Sequence, residues 1–371
     1  MKNCIIIALL ALNIAPVLPT FHCVYREWLI YQLVIFHILT IPVAFILGQP
    51  LAIISSGVIY VVRKTTFSEF KRERIDHLYD TKTLHAYDVV AIQELYGGWF
   101  PGSRFYQHHM RRQCEKAGLK HSATAGRPVL PRVIFDQGLA IFSRYPIVKT
   151  KRLVFKKQSI WDYLFVARAC LYVQVEVNPL HTVHCFTVHT APSLKDMQER
   201  SSLARLLKEK VPTVQVQANE IADFIKKMTK TGYKERDSGV TETTVCMGDF
   251  NIGAGTADFI HLENELGAGN NLNMTEISSQ TDRDGKRTWA STFGRLADGS
   301  SEVPTETLLT SPGLRGKPQT LDFVFVTDNC RKVGECVVHP FAAVKESDKK
   351  YWQQVSDHCG LSARIELQKT K

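Results

Sequence analysis

The stretch Thr243-Thr-Val-Cys-Met-Gly-Asp-Phe-Asn251 is a short apolar run that ends in an acidic and an amide side chain. Its first five residues predict a buried strand. If that strand continues, its side chains alternate, so Asp249 and Asn251 face one side while Phe250 packs into the core. A carboxylate that can take a proton from water would then lie beside a carboxamide that can donate to a phosphate oxygen.

Four further short motifs carry acids or histidines at or just beyond the ends of predicted strands, where open α/β sheets commonly place their sites. Acidic and amide oxygens are hard ligands that suit Mg²⁺, whereas histidines can donate to a phosphate or move a proton. Any one such motif is more often a capped turn, so only the combination indicates chemistry. The motifs are Gln93-Glu94, Val188-His189-Thr190-Ala191-Pro192, Leu321-Asp322-Phe323 and Ser356-Asp357-His358.

Predicted strands and helices alternate through the part of the chain that follows residue 63. Helical spacing covers 66–84, and an amphipathic helical stretch covers 194–230 with an interruption at Pro212. The polar region 267–318, rich in Gly and Pro, predicts an extended loop. This pattern predicts an α/β protein in which sheets are covered by helices. The predicted strands are 88–94, 138–143, 169–177, 184–189, 243–247, 321–327 and 359–367.

The composition indicates the class of binding partner and the redox state of the cysteines. The chain has 371 residues and a formal net charge of +10, with a pI of about 9.1. This charge favours an anionic partner: a phospholipid surface, a nucleic acid or a small phosphate ester. The nine cysteines form no Cys-x-x-Cys pair, and several lie in runs that predict buried strands, so we expect reduced thiols.

Residues 4–62 are strongly apolar, whereas the rest of the chain has the composition of a soluble domain. Within them, 28–47 is a run of 20 residues with few polar members, about the length that crosses a bilayer. A turn at Gly48-Gln49-Pro50 and a shorter apolar run follow. We therefore predict a hydrophobic membrane hairpin over 21–63 in a membrane-associated protein, with Arg63 and Lys64 placed to meet anionic lipid. An apolar helical pair buried in the protein is the alternative.

Taken together and in this order, the five motifs resemble those of the endonuclease/exonuclease/phosphatase superfamily. Further matches are the segment Gln137-Gly-Leu-Ala-Ile-Phe-Ser-Arg-Tyr-Pro-Ile147 and the closing Ser356-Asp-His-Cys-Gly-Leu-Ser-Ala363. The resemblance covers roughly 66–367 and is weak in the 267–318 loop. It implies a deoxyribonuclease I-like four-layer fold, a two-layered β-sandwich flanked by helices, for a catalytic domain at 64–371.

The resemblance also implies roles for the motif residues in metal-assisted hydrolysis of a phosphodiester. Asp249 would activate the attacking water, and Asn251 would position the scissile phosphate. His189 would hydrogen-bond the phosphate oxygens. His358, oriented by Asp322, would stabilise the pentacovalent transition state.

The implied metal is Mg²⁺, with Mn²⁺ as an alternative; Glu94 would be a ligand, and Asp357 would lie at or beside the metal shell. The family also places an Asn on its first strand, where it binds near the metal. Because no Asn occurs between Asn13 and Asn178, Asn13 is the candidate. Residues 1–20 are then the first core strand, and the hairpin is an insertion after it. The other interpretation is that 1–20 is a signal peptide or anchor and the Asn is missing.

Within the superfamily, neutral sphingomyelinases resemble this chain best. The resemblance lies in the segment Gly138-Leu-Ala-Ile-Phe-Ser-Arg-Tyr-Pro-Ile147, in the two hydrophobic runs near the N-terminus and in the acidic-then-basic stretch 162–168 before a strand. Where that family tends to carry Lys-Gly, this chain has Arg168-Ala169. We assign Arg168 to substrate binding, although its planar fork differs from the point charge of a lysine. The resemblance therefore implies hydrolysis of a membrane phospholipid, sphingomyelin, to ceramide and phosphocholine.

Two alternatives remain open at this point. A deoxyribonuclease I-like endonuclease, with nucleic acid as its partner, also fits the basic charge and the Val-His-Thr-Ala-Pro motif. An inactive scaffold of the same fold is the other, and the intact set of site residues argues against it. The sequence gives no sign of an obligate protein partner.

Overall fold

The strand that runs into Gly-Asp-Phe-Asn lies inside a six-stranded sheet. The computed structural model describes residues 71–97, 104–126, 136–158, 167–191, 213–229, 240–293, 319–339, 355–356 and 358–367. All of these belong to the unit formed by Glu69–Trp99 and Ser103–Lys371. The predictions for 1–20 with Asn13, for the hairpin at 21–63 and for Asp357 fall outside the described residues. No helix in the ranges just given is long and apolar enough to cross a membrane.

The described residues form four α-helices, two short 3₁₀ turns and fifteen strands. The helices are α1 (Lys71–Asp80), α2 (Phe105–Lys116), α3 (Thr213–Thr229) and α4 (Ala257–Leu266), with 3₁₀ turns at Thr83–Ala86 and Ala268–Asn270. The strands are β1 (Val89–Ile92), β2 (His121–Thr124), β3 (Ala140–Ser143), β4 (Ile147–Val154), β5 (Ala169–Asn178), β6 (His181–His189), β7 (Thr241–Asp249), β8 (Met274–Glu276), β9 (Gln280–Thr281), β10 (Arg287–Thr288), β11 (Asp322–Thr327), β12 (Cys330–Lys332), β13 (Val337–His339), β14 (Gly360–Ser362) and β15 (Ile365–Leu367).

The largest sheet has the strand order β4-β5-β6-β7-β11-β8. Its pairs are antiparallel except β6 with β7, which is parallel and therefore needs a crossover connection; α3 lies in that connection. A second sheet has the antiparallel order β1-β3-β2. Three two-stranded pairs, β9 with β10, β12 with β15 and β13 with β14, complete the described strands.

Side-chain alternation along the central strands separates two cores. In β5, Leu171 and Val173 join a buried cluster that includes Leu139 and Ile141 at the second sheet. Tyr172, which lies between them, points to the opposite face of the sheet and joins a different cluster. The first cluster therefore lies between the two sheets, as a sandwich requires.

Helices cover the outer faces of both sheets. The apolar residues of α3 and α4, such as Ile221 and Phe259, pack on the face of the large sheet that carries Tyr172. Ile75 of α1 and Met110 of α2 pack on Phe142 of the smaller sheet. The layers run helix, sheet, sheet, helix, so the predicted α/β class, a two-layered β-sandwich flanked by helices, is confirmed.

Several predicted elements begin or end elsewhere. The helix predicted over 66–84 is described as α1 followed by a 3₁₀ turn, because Lys82 takes a left-handed conformation with φ of 58°. The helical stretch predicted over 194–230 is represented by α3, and 194–212 lies outside the described residues. The strand predicted over 359–367 is two strands, which pair separately with β13 and β12.

The prediction of an extended loop over 267–318 was wrong for its first part. Strand β8 forms the edge of the large sheet by pairing with β11, where Glu276 lies opposite Phe325. A three-residue strand carries no periodic pattern, so its conformation comes from that pairing and not from local sequence. Elements α2, α4, β2 and β4 were not predicted at all.

Candidate active site

The strand register of the large sheet aligns four residues in one row. Ala169 of β5 pairs with His189 of β6, His189 pairs with Asp249 of β7, and Asp249 pairs with Asp322 of β11. Each lies at the end of its strand. Because side chains alternate along a strand, Asp249 and Asp322 share the face of the neighbouring inter-sheet core residues, such as Val245 and Val324. The row therefore places an imidazole and two carboxylates at one end of the sandwich.

Gly248 allows β6 and β7 to meet beside this row. Its φ is 137°, and a Cβ built there would lie 2.4 Å from the backbone oxygen of Val188. A side chain at this position would push apart the two strands that carry His189 and Asp249.

Asp249 is 7% exposed, and its carboxylate is held by the residue two positions on. The backbone N–H of Asn251 donates to Asp249 Oδ1 at 2.8 Å, and the amide Nδ2 lies 3.2 Å from Oδ2. Burial raises the pKa of the Asp249 carboxyl to about 7, and the charge of Asp322 acts in the same direction. His358, the Asn251 N–H and Arg168 lower it. A carboxylate with a pKa near neutrality suits a general base.

Asn251 reaches the site by a turn and not by the continuing strand that the alternation assumed. Strand β7 ends at Asp249, and Asn251 has a φ of 49°, in the left-handed region that asparagine tolerates. Its Nδ2 also donates to the backbone oxygen of Thr190 at 2.9 Å. Phe250 is fully buried, as predicted. The predicted proximity of Asn251 and Asp249 is present, but the backbone that produces it is different.

His358 belongs to another segment of the chain, and its ring lies beside Asp322 and Asp249 of the row. Its Nδ1 is 2.8 Å from Asp322 Oδ2, and because a carboxylate can only accept, Nδ1 carries the proton. That leaves Nε2 directed toward Asp249, 3.9 Å from Oδ2. A histidine fixed in this way can donate to an oxyanion when it is protonated.

His189 is buried and contacts two charged side chains. Its Nε2 lies 3.5 Å from Asp249 Oδ2 and also contacts Nη1 of Arg168. Arg168 precedes β5, so the register that aligns Ala169 with His189 also brings the guanidinium to the site. The residue assigned to substrate binding thus lies beside the proposed phosphate-binding histidine.

Glu94 follows β1 in the smaller sheet and is half-buried, with a φ of 58°. The hydroxyl of Tyr96 donates to its Oε1 at 3.2 Å. The neighbouring Gln93 donates to Thr187 Oγ1 of β6 at 2.8 Å, which fixes this segment against the strand that ends in His189. Glu94 is therefore held at the same end of the sandwich as the row.

The donor set fits a hard divalent cation. Asp249, Asp322 and His358 each offer a ligand atom, and these atoms lie within 4.8 Å of one another. The raised pKa of Asp249 reflects carboxylates crowded in a buried place, and a cation would relieve that crowding. Carboxylate oxygens are the ligands that Mg²⁺ prefers. Asp249, Asp322 and His358 are not the ligands that the resemblance implies, which are Glu94, Asn13 and Asp357. Of the implied ligands, only Glu94 lies in the described residues.

Two residues that support the backbone near Asp322 and Glu94 were not predicted from the sequence. Thr292, fully buried within the region predicted as a loop, accepts at Oγ1 from the backbone N–H groups of Leu321 and Asp322, and its carbonyl accepts from Cys359. Asp136 accepts from the N–H groups of Gly97 and Gly138 near Glu94. Neither had a local signal beyond a lone polar residue.

Comparisons with known proteins find a curated relative of this chain and solved structures that share its fold. A sphingomyelinase of Dictyostelium discoideum is 24% identical over 281 residues, which cover 66% of this chain and 58% of that protein. The chain thus spans less than two thirds of the length of this relative. A crystal structure of beta toxin from Staphylococcus aureus has a TM-score of 0.53 at 21% identity, covering 80% of this chain and 93% of the toxin. A mutant of that toxin with bound magnesium ions has a TM-score of 0.55 at 20% identity, covering 79% and 92%.

A family model matches residues 67–358, well over half of the chain, and confirms the resemblance seen in the motifs. The matched residues include the described site from Glu94 to His358. This chain belongs to the Endonuclease/Exonuclease/phosphatase family.

Proposed function

We propose that this protein is a Mg²⁺-dependent phosphodiesterase that hydrolyses sphingomyelin to ceramide and phosphocholine. The observation that carries the proposal is the row of His189, Asp249 and Asp322 across the sheet, with His358 fixed over it. A buried carboxylate beside two imidazoles supplies a base for water and donors for a phosphate. The similarity to a sphingomyelinase supports the choice of lipid.

In the proposed reaction, Asp249 removes a proton from water as the water oxygen bonds to phosphorus. The bond from phosphorus to the ceramide oxygen breaks on the opposite side, and the leaving oxygen takes a proton from water to give ceramide. Asp249 then returns the proton that it accepted to solvent, which balances the step. Asn251 and Arg168 orient the phosphate, and His189 and His358 donate to its oxygens as negative charge develops. Glu94, with Asn13 and Asp357, would hold the cation, which supplies Lewis acidity to the phosphate when bound.

The hydrophobic hairpin predicted at 21–63 would hold the enzyme on a membrane that contains its substrate. A tether of this kind raises the effective concentration of a lipid substrate and gives a nuclease little advantage. Basic residues after the hairpin would add attraction to anionic lipid.

The decisive experiment compares substrates on one preparation. Purified full-length protein is assayed with Mg²⁺ on sphingomyelin vesicles, lysophospholipid and double-stranded DNA, with Asp249→Asn as the background control. We expect hydrolysis of sphingomyelin that EDTA abolishes. Cleavage of DNA with no phospholipid hydrolysis would replace the proposal with the endonuclease alternative, which the net charge of +10 also fits. Activity on none of the three would leave the inactive scaffold.

A further inference from the structure

Gln217 of α3 is not one of the row of site residues, but it contacts two segments next to them. One segment follows His189 and contains Ala191, and the other contains Lys157 and binds the backbone of Arg168. It is fully buried, at 0% exposed. Its Oε1 accepts from the backbone N–H of Ala191 at 2.8 Å, and its Nε2 donates to the backbone oxygen of Lys157 at 2.8 Å. Because Ala191 N–H can only donate and the Lys157 carbonyl can only accept, these partners fix the orientation of the amide.

The first of these partners continues directly from His189. Ala191 lies two residues after His189 and is itself buried. Between them, the Thr190 N–H donates to the Asp249 carbonyl at 3.1 Å, and the Thr190 carbonyl accepts from Asn251. A shift of Ala191 would therefore move the backbone that links His189, Asp249 and Asn251.

The second partner belongs to a segment that holds Arg168. The Phe155 N–H donates to the Arg168 carbonyl at 3.1 Å, and the Arg168 N–H donates to Gln158 Oε1 at 2.7 Å. Gln158 also donates to the Phe155 carbonyl at 2.6 Å, which closes the segment on itself. Both backbone groups of Arg168 are thus bound to the residues that flank Lys157.

We infer that Gln217 is a positioning residue that, together with the pairing of Ala169 with His189, holds Arg168 and His189 at their distance. The two segments, Gln217 and the Arg168–His189 contact form a closed ring. The carboxamide of Gln217 joins both segments to α3, whereas Glu220, which accepts from the Lys156 N–H, joins α3 to only one of them. Its role rests on the proposed function, because Arg168 and His189 act there on the same phosphate. A carboxamide is required, since a carboxylate lacks the donor and a hydrocarbon lacks both groups.

The test uses two variants at position 217 and one matched control. Gln217→Leu removes both hydrogen bonds at similar volume, and Gln217→Glu keeps the acceptor but removes the donor. Gln215→Leu is the control, because Gln215 lies on the same helix and donates to Asp258 Oδ1 of α4 at 2.7 Å, away from Arg168 and His189. The melting temperature of each variant is measured and compared with that of wild type. Kinetics are then run well below the melting temperature of every variant.

We expect Gln217→Leu to lower kcat at least about tenfold with a smaller change in KM, Gln217→Glu to lower it less, and Gln215→Leu to leave it within twofold of wild type. Misplaced catalytic groups produce this pattern, whereas loss of fold alone does not. Equal losses in Gln217→Leu and Gln215→Leu, or near-normal kcat in Gln217→Leu, would overturn the inference.

A second readout does not depend on turnover. In wild-type protein the Ala191 amide should exchange slowly with solvent, and Gln217→Leu should speed that exchange and shift the ring resonances of His189, whereas Gln215→Leu should change neither. If the wild type hydrolysed no phosphodiester, the proposed function would fail, and these spectra would still decide whether Gln217 positions His189. Unchanged His189 resonances in Gln217→Leu would reject the positioning role.

Discussion

Strands carry one half of the candidate site, and loops carry the other. His189 and Asp249 are the last residues of their strands, and Asp322 is the first residue of the next strand in the sheet. The three pair in register and are all buried. Asn251 and Glu94 have left-handed φ values, and the side chain of His358 is 26% exposed on a segment that meets Phe293 through an isolated bridge.

This difference shows what holds each half in place. Strand register fixes the first half, because a one-residue slip would turn the carboxylates to the other face of the sheet. The second half depends on single hydrogen bonds, some from nearby residues and some from distant ones. Tyr96 donates to Glu94 two positions away, and the Thr292 carbonyl accepts from Cys359 beside His358. The four predictions below separate these two kinds of support.

The largest expected effect is loss of chemistry from either half. Asp249→Asn on the strand and His358→Ala on the loop should each lower turnover at least about a hundredfold, because one removes the proposed base and the other the proposed transition-state donor. Turnover of sphingomyelin under saturating Mg²⁺ is the measurement, with circular dichroism to confirm the fold. Near-normal turnover in either variant would contradict the assigned roles.

The loop-borne Glu94 should control the metal requirement. Glu94→Gln removes a charge but keeps the size of the side chain, so we expect the Mg²⁺ concentration for half-maximal activity to rise at least about tenfold. Tyr96→Phe, which removes only the hydroxyl that donates to Glu94, should have a smaller effect in the same direction. An unchanged Mg²⁺ titration in Glu94→Gln would exclude Glu94 as a ligand.

Changing Thr292 should lower both stability and turnover, by less than the changes described above. Thr292→Val is isosteric but leaves the buried N–H groups of Leu321 and Asp322 without their acceptor, which costs about 1–3 kcal/mol of stability. Because Asp322 orients His358, we also expect turnover to fall roughly tenfold. Thr292→Ser keeps the hydroxyl and should restore most of both losses. Equal defects in the two variants would mean that the methyl group, and not the hydroxyl, matters.

The smallest effect concerns the stability of the metal-free protein. Burial raises the pKa of folded Asp249 to about 7 from an unfolded value of about 3.9. The contribution of this carboxyl to the free energy of unfolding is therefore fully present below pH 3.9. It is lost as the pH rises toward 7. In EDTA, Asp249→Asn should therefore raise the melting temperature relative to wild type more at pH 8 than at pH 5. A difference independent of pH would contradict the raised pKa.

The strand-borne half of the site could be predicted from sequence with good accuracy. The apolar run before Gly248 and the runs before His189 and after Asp322 identify their strands, and side-chain alternation gives the facing of Asp249 and the burial of Phe250. The loop-borne half was predicted only through the order of motifs. The turn at Asn251 and the clamp from Thr292 arise from contacts between residues tens of positions apart, which no local pattern contains.

The parallel pairing of β6 with β7 also determines when during folding the site can exist. β6 ends at His189, and β7 begins at Thr241, so the two strands meet only after the whole intervening segment has been drawn into a closed loop. Closing a long loop costs entropy before any contact compensates for it, and such non-local pairings slow folding. A chain still emerging from the ribosome therefore carries His189 without Asp249. We expect hydrolytic competence to appear in one late step, together with the completed sheet.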